Sequence, residues 1–67
     1  MEIILNGEKE TVAGDTTVSG LLAGLELNPD IVTVSLNGRM LAREAFAASS
    51  LQPGDRVDII LFMGGGL

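Results

Sequence analysis

The sequence has no cysteine, no histidine, no tryptophan and no tyrosine. Each absence removes a class of function. Without cysteine there is no disulfide, no thiolate nucleophile and no zinc–thiolate site. Without histidine the commonest general base and metal ligand is missing. Without tryptophan or tyrosine there is little to stack nucleobases on. Basic residues are also scarce, four against nine acidic ones, for a net charge of −5. Lys9, Arg39, Arg43 and Arg56 are scattered along the chain, whereas nucleic-acid binding needs clustered Lys and Arg. No nucleic-acid or membrane partner is expected. The acidity suits solubility and a basic partner surface. No run of ~18 apolar residues is present, so no transmembrane helix is expected. The chain goes from Met1 straight into strand-like sequence. It shows no basic stretch followed by an apolar one, so no signal peptide is expected and the cytoplasm is the expected compartment. Serines and carboxylates occur without a catalytic constellation, and the expectation is that the chain is not an enzyme.

What is present describes one small domain. Apolar residues make up 46% of the 67 positions, enough for a single core layer between a sheet and a helix. Residues Glu2 to Asn6 are β-rich, and Asn6-Gly7 signals a type I′ hairpin, in which both central residues need φ > 0. Glu8 to Val12 is the polar return strand, suited to a sheet edge. Thr16 or Thr17 supplies a helix N-cap, with Asp15 near the helix N-terminus. Val18, Leu21, Leu22 and Leu25 follow at i, i+3, i+4 and i+7, which gives one apolar helical face. Gly20 and Gly24 stand four apart, off that stripe. Either they are tolerated in a helix held by packing, or they clear room for another backbone. Asn28-Pro29 is expected to end the helical segment.

Ile31 to Asn37 alternates as a half-buried strand, and Asn37-Gly38 repeats the hairpin signal. Arg39 to Leu41 forms a short strand. Arg43 to Ala47 suits a helical turn, with Phe46 pointing inward and Leu51 nearby. Gln52-Pro53-Gly54-Asp55 matches a type II turn. Arg56 to Phe62 is the last strand. Val57, Ile59 and Leu61 are expected to face the helix, and Asp58, Ile60 and Phe62 the other side. Ile60 and Phe62 then form an exposed apolar patch of the kind that marks a binding surface, unless Phe62 folds back onto a sheet edge.

The helix after the first hairpin can cross one face of the sheet, and the final strand can return parallel to the first. The expected class is α+β, a β-grasp (ubiquitin-like) roll with a mixed sheet of order 2-1-5-3-4 packed on one helix. Residues 1–62 make the domain, and 63–67 a flexible glycine-rich tail. Glycine lacks a Cβ, and Gly64-Gly65-Gly66 is too mobile to hold strand geometry. Fully extended, Met63 through Gly66 would reach about 13–14 Å. That is enough to thread a terminal carboxylate into a narrow site where a side chain would clash.

The ordered set of motifs covers essentially the whole chain. It comprises Asn6-Gly7, Thr17-x-x-x-Leu21-Leu22, Val34-x-Leu36-Asn37-Gly38, Leu51-x-Pro53-Gly54-Asp55 and Val57-Asp58-Ile59-Ile60-Leu61-Phe62 with its glycines. It resembles the ThiS/MoaD family of ubiquitin-like sulfur carriers, most closely the thiamine-pathway (ThiS-like) branch. The resemblance implies no bound cofactor. A ubiquitin-activating-type (ThiF-like) adenylyltransferase would use ATP and magnesium to adenylate the carboxylate of Gly66, after removal of Leu67. A persulfide derived from a cysteine desulfurase would displace AMP. The resulting C-terminal thiocarboxylate would give its sulfur to a thiazole synthase (ThiG-like). Ile60, Phe62 and Met63 would dock these enzymes, and Gly64 and Gly65 would thread the tail. Leu67 after Gly66, and a tail shorter than is usual in the thiamine carriers, depart from the family pattern. The alternatives are the molybdopterin synthase small subunit, another sulfur carrier, a protein modifier, and a β-grasp binding module that needs no glycine tail.

Overall fold

The computed structural model describes residues 1–61. The chain begins with strand β1 (Glu2–Leu5), turns through Asn6-Gly7, and returns as β2 (Glu8–Thr11). Asn6 has φ 50° and Gly7 φ 86°, the two positive values that a type I′ turn demands. β2 is exposed at every residue.

Helix α1 (Val18–Gly24) follows. A helix start leaves backbone N–H groups without intrahelical partners in the preceding turn, and three of them find partners elsewhere. Val18 N donates to Ser49 O and Ser19 N to Phe46 O, at 2.9 and 3.1 Å. Gly20 N donates to Thr17 Oγ1 at 3.0 Å, so Thr17 rather than Thr16 is the N-cap. Leu21 N donates to Thr17 O at 2.9 Å, the first bond of the helix itself. Val18, Leu21 and Leu22 are buried as the spacing predicts.

The helix ends earlier than Asn28-Pro29. Leu25 is its C-cap, Glu26 sits at φ 60°, and the two bonds of a Schellman motif close the end. Glu26 N donates to Ala23 O, and Leu27 N to Leu22 O, at 3.0 and 2.9 Å. The left-handed residue swings the chain away, so Leu25 is 43% exposed instead of continuing the stripe. Leu27 packs against the core in its place. Asn28-Pro29 instead opens a 3₁₀ turn (Pro29–Ile31), with Asn28 Oδ1 accepting from Asp30 N at 2.9 Å. That turn absorbs Ile31, which was expected to begin the next strand.

Strand β3 (Val32–Leu36) turns through Asn37-Gly38 into β4 (Arg39–Leu41), with φ 52° and 84° at the turn. A 3₁₀ turn (Arg43–Ala45) leads to buried Phe46 and Leu51. Gly54, at φ 84°, makes the expected turn into β5 (Arg56–Leu61), with Asp55 N donating to Gln52 O at 3.0 Å. The sheet has five strands in the order β2-β1-β5-β3-β4, the predicted one. β1 and β5 run parallel, and the other pairs are antiparallel.

α1 covers one face of this sheet. Ile3, Val18, Leu22, Val34, Leu51 and Val57 form the fully buried centre of the core. Burial falls along β5, from Val57 through half-buried Ile59 to Leu61, which is 42% exposed. Leu61 was expected to face the helix. A seven-residue helix is about 10 Å long, and a six-residue strand is about 20 Å. The far end of β5 therefore runs out from under its cover.

Glu26 is a non-glycine residue in left-handed backbone, which costs roughly 1–2 kcal/mol. Glu26→Gly is expected to raise the unfolding free energy by about 0.5–1 kcal/mol, because glycine adopts this conformation without that cost and its greater unfolded-state entropy cancels only part of the gain. Chemical denaturation measures it. An unchanged or lowered midpoint would mean that the Glu26 side chain stabilises the cap in another way.

Candidate functional site

The candidate site is the end of β5 and the sheet face that β5 shares. β5 lies between β1 and β3, so the strand leading towards the glycine run is central in the sheet. β3 pairs with it along five positions, from Leu36↔Val57 to Val32↔Leu61. β1 pairs with it at only two, Ile4↔Arg56 and Leu5↔Val57, because the chain turns away at Asn6.

The Asn6 side chain continues what the backbone stops. Asn6 N donates to Val57 O at 2.8 Å, and Asn6 Oδ1 accepts from Ile59 N at 2.7 Å. On the other side Asn37 does similar work at the start of β5. Its Oδ1 accepts from Arg56 N at 2.9 Å, and its Nδ2 donates to Asp55 Oδ1 at 3.0 Å. Asp55 Oδ2 also accepts from Gln52 N at 2.8 Å, which closes the preceding turn. The two turn asparagines therefore have a second function that sequence reasoning missed. The Asn-Gly signal identifies a turn, but nothing in it shows which distant strand the amide will reach.

Alternation along the strands defines the face away from the helix. Val34 and Val57 are buried, so their neighbours Thr33, Ser35, Arg56, Asp58 and Ile60 point the other way. Ile60 lies beside Thr33, and Asp58 beside Ser35, which is flanked in turn by Met40. Ile60 is 64% exposed and Met40 66%. Ile60 thus stands where the sequence placed it, in a face of apolar side chains mixed with both signs of charge. Phe62, Met63, Gly64, Gly65, Gly66 and Leu67, the other site residues predicted, lie outside the described residues. Among the described residues there is no group of three or more carboxylates placed to hold a metal ion. None of the described helices is long and apolar enough to cross a membrane. The open face of a central strand suits docking.

A five-stranded mixed sheet in this order, wrapped on one helix, is the β-grasp fold of ubiquitin-like proteins. The model of the ThiS family matches residues 3–66, and the chain belongs to that family. The crystal structure of a thiamine biosynthesis protein (ThiS) from Geobacter metallireducens is similar at a TM-score of 0.85 and 43% identity. The match covers 98% of this chain and 100% of that one. A solution structure of a thiamine biosynthesis protein from the same organism gives a TM-score of 0.81, covering 100% of this chain and 90% of the other. Two curated thiazole synthases also match. The one from Magnetococcus marinus is 39% identical over 66 residues, and the one from Paramagnetospirillum magneticum is 30% identical. The alignments cover 98% of this chain but only 20% of each synthase, so the chain spans about a fifth of their length.

The exposed and buried sides of β5 should respond differently to substitution. Ile60→Thr keeps a β-branched residue on the open face, and its stability is expected to stay within about 0.5 kcal/mol of the parent. Val57→Ala opens a cavity beneath the helix and is expected to cost about 2 kcal/mol. Urea titration of both variants checks this. Equal losses would place Ile60 in a packed environment.

Proposed function

We propose that the chain is a sulfur carrier for formation of the thiazole ring of thiamine. The observation that carries this reading is the ThiS family match, which runs through Gly64, Gly65 and Gly66. The likeness to thiamine biosynthesis proteins and to part of two thiazole synthases supports the same pathway.

The chemistry asks little of the domain beyond a terminus and a docking face. A carboxylate is a poor electrophile. Once Leu67 is removed, the Gly66 carboxylate attacks the α-phosphate of ATP on an adenylating partner. Pyrophosphate leaves, and an acyl adenylate with a good leaving group remains. The terminal sulfur of a persulfide, drawn from a cysteine desulfurase, attacks the acyl carbon and AMP departs. A partner thiol then cleaves the sulfur–sulfur bond. It keeps the other sulfur as a disulfide and leaves a thiocarboxylate on Gly66. The carrier needs no thiol of its own, which suits a sequence without cysteine. Magnesium and ATP belong to the partner.

Gly64 and Gly65 present no side chain to the partner's channel, and Ile60, Phe62 and Met63 supply apolar contact at its mouth. Ile60→Thr is expected to weaken the complex with the adenylating partner about tenfold, or about 1.4 kcal/mol, without loss of fold. Titration calorimetry reads it, and unchanged affinity would move the docking surface elsewhere.

Intact mass of the protein from its native host tests the reading directly. The expected species ends at Gly66 and carries sulfur in place of one terminal oxygen. Deleting Gly65 and Gly66 is expected to leave the thermal transition unchanged and to end sulfur loading. Thiocarboxylate formation by that deletion variant would rule the mechanism out. Isopeptide-linked conjugates dependent on Gly66 would make the chain a protein modifier instead.

A further inference from the structure

A second surface lies on the helix side of the sheet, away from the Ile60 face. A groove of about 310 Å³ runs between β2 and α1. Leu5, Val12, Leu21 and Leu25 give it an apolar lining, and Gly20 and Gly24 form part of its helix wall. A Cβ at Gly24 would meet nothing within 4 Å. Packing within the chain therefore does not require glycine there, and its absent side chain widens the groove.

β2 is the edge of the sheet, and the register shows which of its backbone groups are unused. Leu5 and Glu8 flank the two-residue turn and form its closing hydrogen-bonded pair. Bonded pairs alternate in an antiparallel ladder, so Ile3–Glu10 and Met1–Val12 are the next ones. The last is seen directly, with Val12 N donating to Met1 O at 2.8 Å and Met1 N to Val12 O at 2.6 Å. Lys9 and Thr11 therefore direct their N–H and C=O groups away from β1. They have no backbone partner among the described residues.

Charge selects the occupant. Glu10 pairs with fully buried Ile3, and Glu8 with Leu5, so both carboxylates stand on the helix side of the edge, and Glu10 lines the groove. An antiparallel pairing of β2 with a second copy would set these glutamates against each other, and like charges directly opposite are destabilising. Charge on an edge strand is a common guard against self-association. A basic strand meets the opposite situation.

We propose that the β2 edge and the groove beside α1 dock an extended segment of a partner protein that carries basic and apolar residues in turn at every second position, so that both kinds face the groove. This segment joins the sheet through the outward N–H and C=O groups of Lys9 and Thr11. Main-chain bonds of this kind supply affinity, and pockets for alternate side chains supply specificity. The site does not depend on the sulfur-carrier reading, since it uses neither the glycine run nor the Ile60 face.

Amide hydrogen exchange by NMR tests the proposal on the whole protein, with synthetic peptides in which every second residue is serine and the positions between carry valine and lysine in turn, valine and glutamate in turn, or serine and lysine in turn. The valine–lysine peptide is expected to slow exchange at Lys9 and Thr11 at least tenfold. Glu8 and Glu10, whose amides already face β1, should not change. The other two peptides should leave exchange at Lys9 and Thr11 unchanged. Gly24→Met fills the groove, and Thr11→Pro removes one outward N–H, a position where an edge strand tolerates proline. Each is expected to weaken binding at least tenfold. If Thr11→Pro disturbs the fold, Gly24→Met decides, because its Cβ enters open space. The proposal is overturned by unchanged exchange at about 1 mM valine–lysine peptide, by equal binding of the glutamate peptide, or by shifts centred on Ile60 and Met40. Slowing that grows with protein concentration alone would make a second copy the occupant and would also overturn it.

Discussion

The fold depends on the return of β5 between β1 and β3. The two hairpins are local, each closed by an Asn-Gly turn, but neither can bury a face alone. β5 joins them, and its contacts span most of the chain. Ile59 N reaches Asn6 Oδ1 across 53 residues. Closing such a loop costs entropy before the contact returns anything. The chain offsets this by making β5 central, with backbone bonding on both sides and Val57 fully buried beneath the helix. Asn6 and Asn37 add two amide clasps at the points where the neighbouring strands turn away.

The same arrangement gives β5 two unlike sides. The helix-facing side of β5 carries Val57 and Ile59 in the core and its margin. The opposite side carries Asp58 and Ile60 on an open face. In the proposed carrier role, the open face of this central strand is the docking surface. The edge at β2 is a separate surface, with its own backbone groups and its own charge.

Much of this was legible in the sequence, for local reasons. Two Asn-Gly pairs between β-rich runs demand tight turns, because few other residues tolerate positive φ. The Val18, Leu21, Leu22 spacing fits a helical face, and the alternation in 32–36 fits a strand. The places where the reading failed are those where a residue's environment is set by distant chain. Leu25 fits the stripe but is turned out by a left-handed Glu26, a position that glycine would have announced and glutamate did not. Leu61 fits the alternation but lies past the end of the helix. Ile31 has strand propensity but is taken by the turn that Asn28 caps.

The sequence by itself determined the turns, the apolar stripes and the exclusions. A chain without cysteine, histidine, tryptophan or tyrosine has few groups with which to catalyse, and its ordered motifs with the glycine run point to one family. These follow from side-chain chemistry and short-range sterics, which need only neighbouring residues. The tertiary structure alone decided where Asn6 and Asn37 send their amides, where the helix cover ends, and which backbone groups of the β2 edge face outward beside a groove. Those are properties of segments brought together from opposite ends of the chain. No local pattern records them, because their energies arise only when β5 is in place.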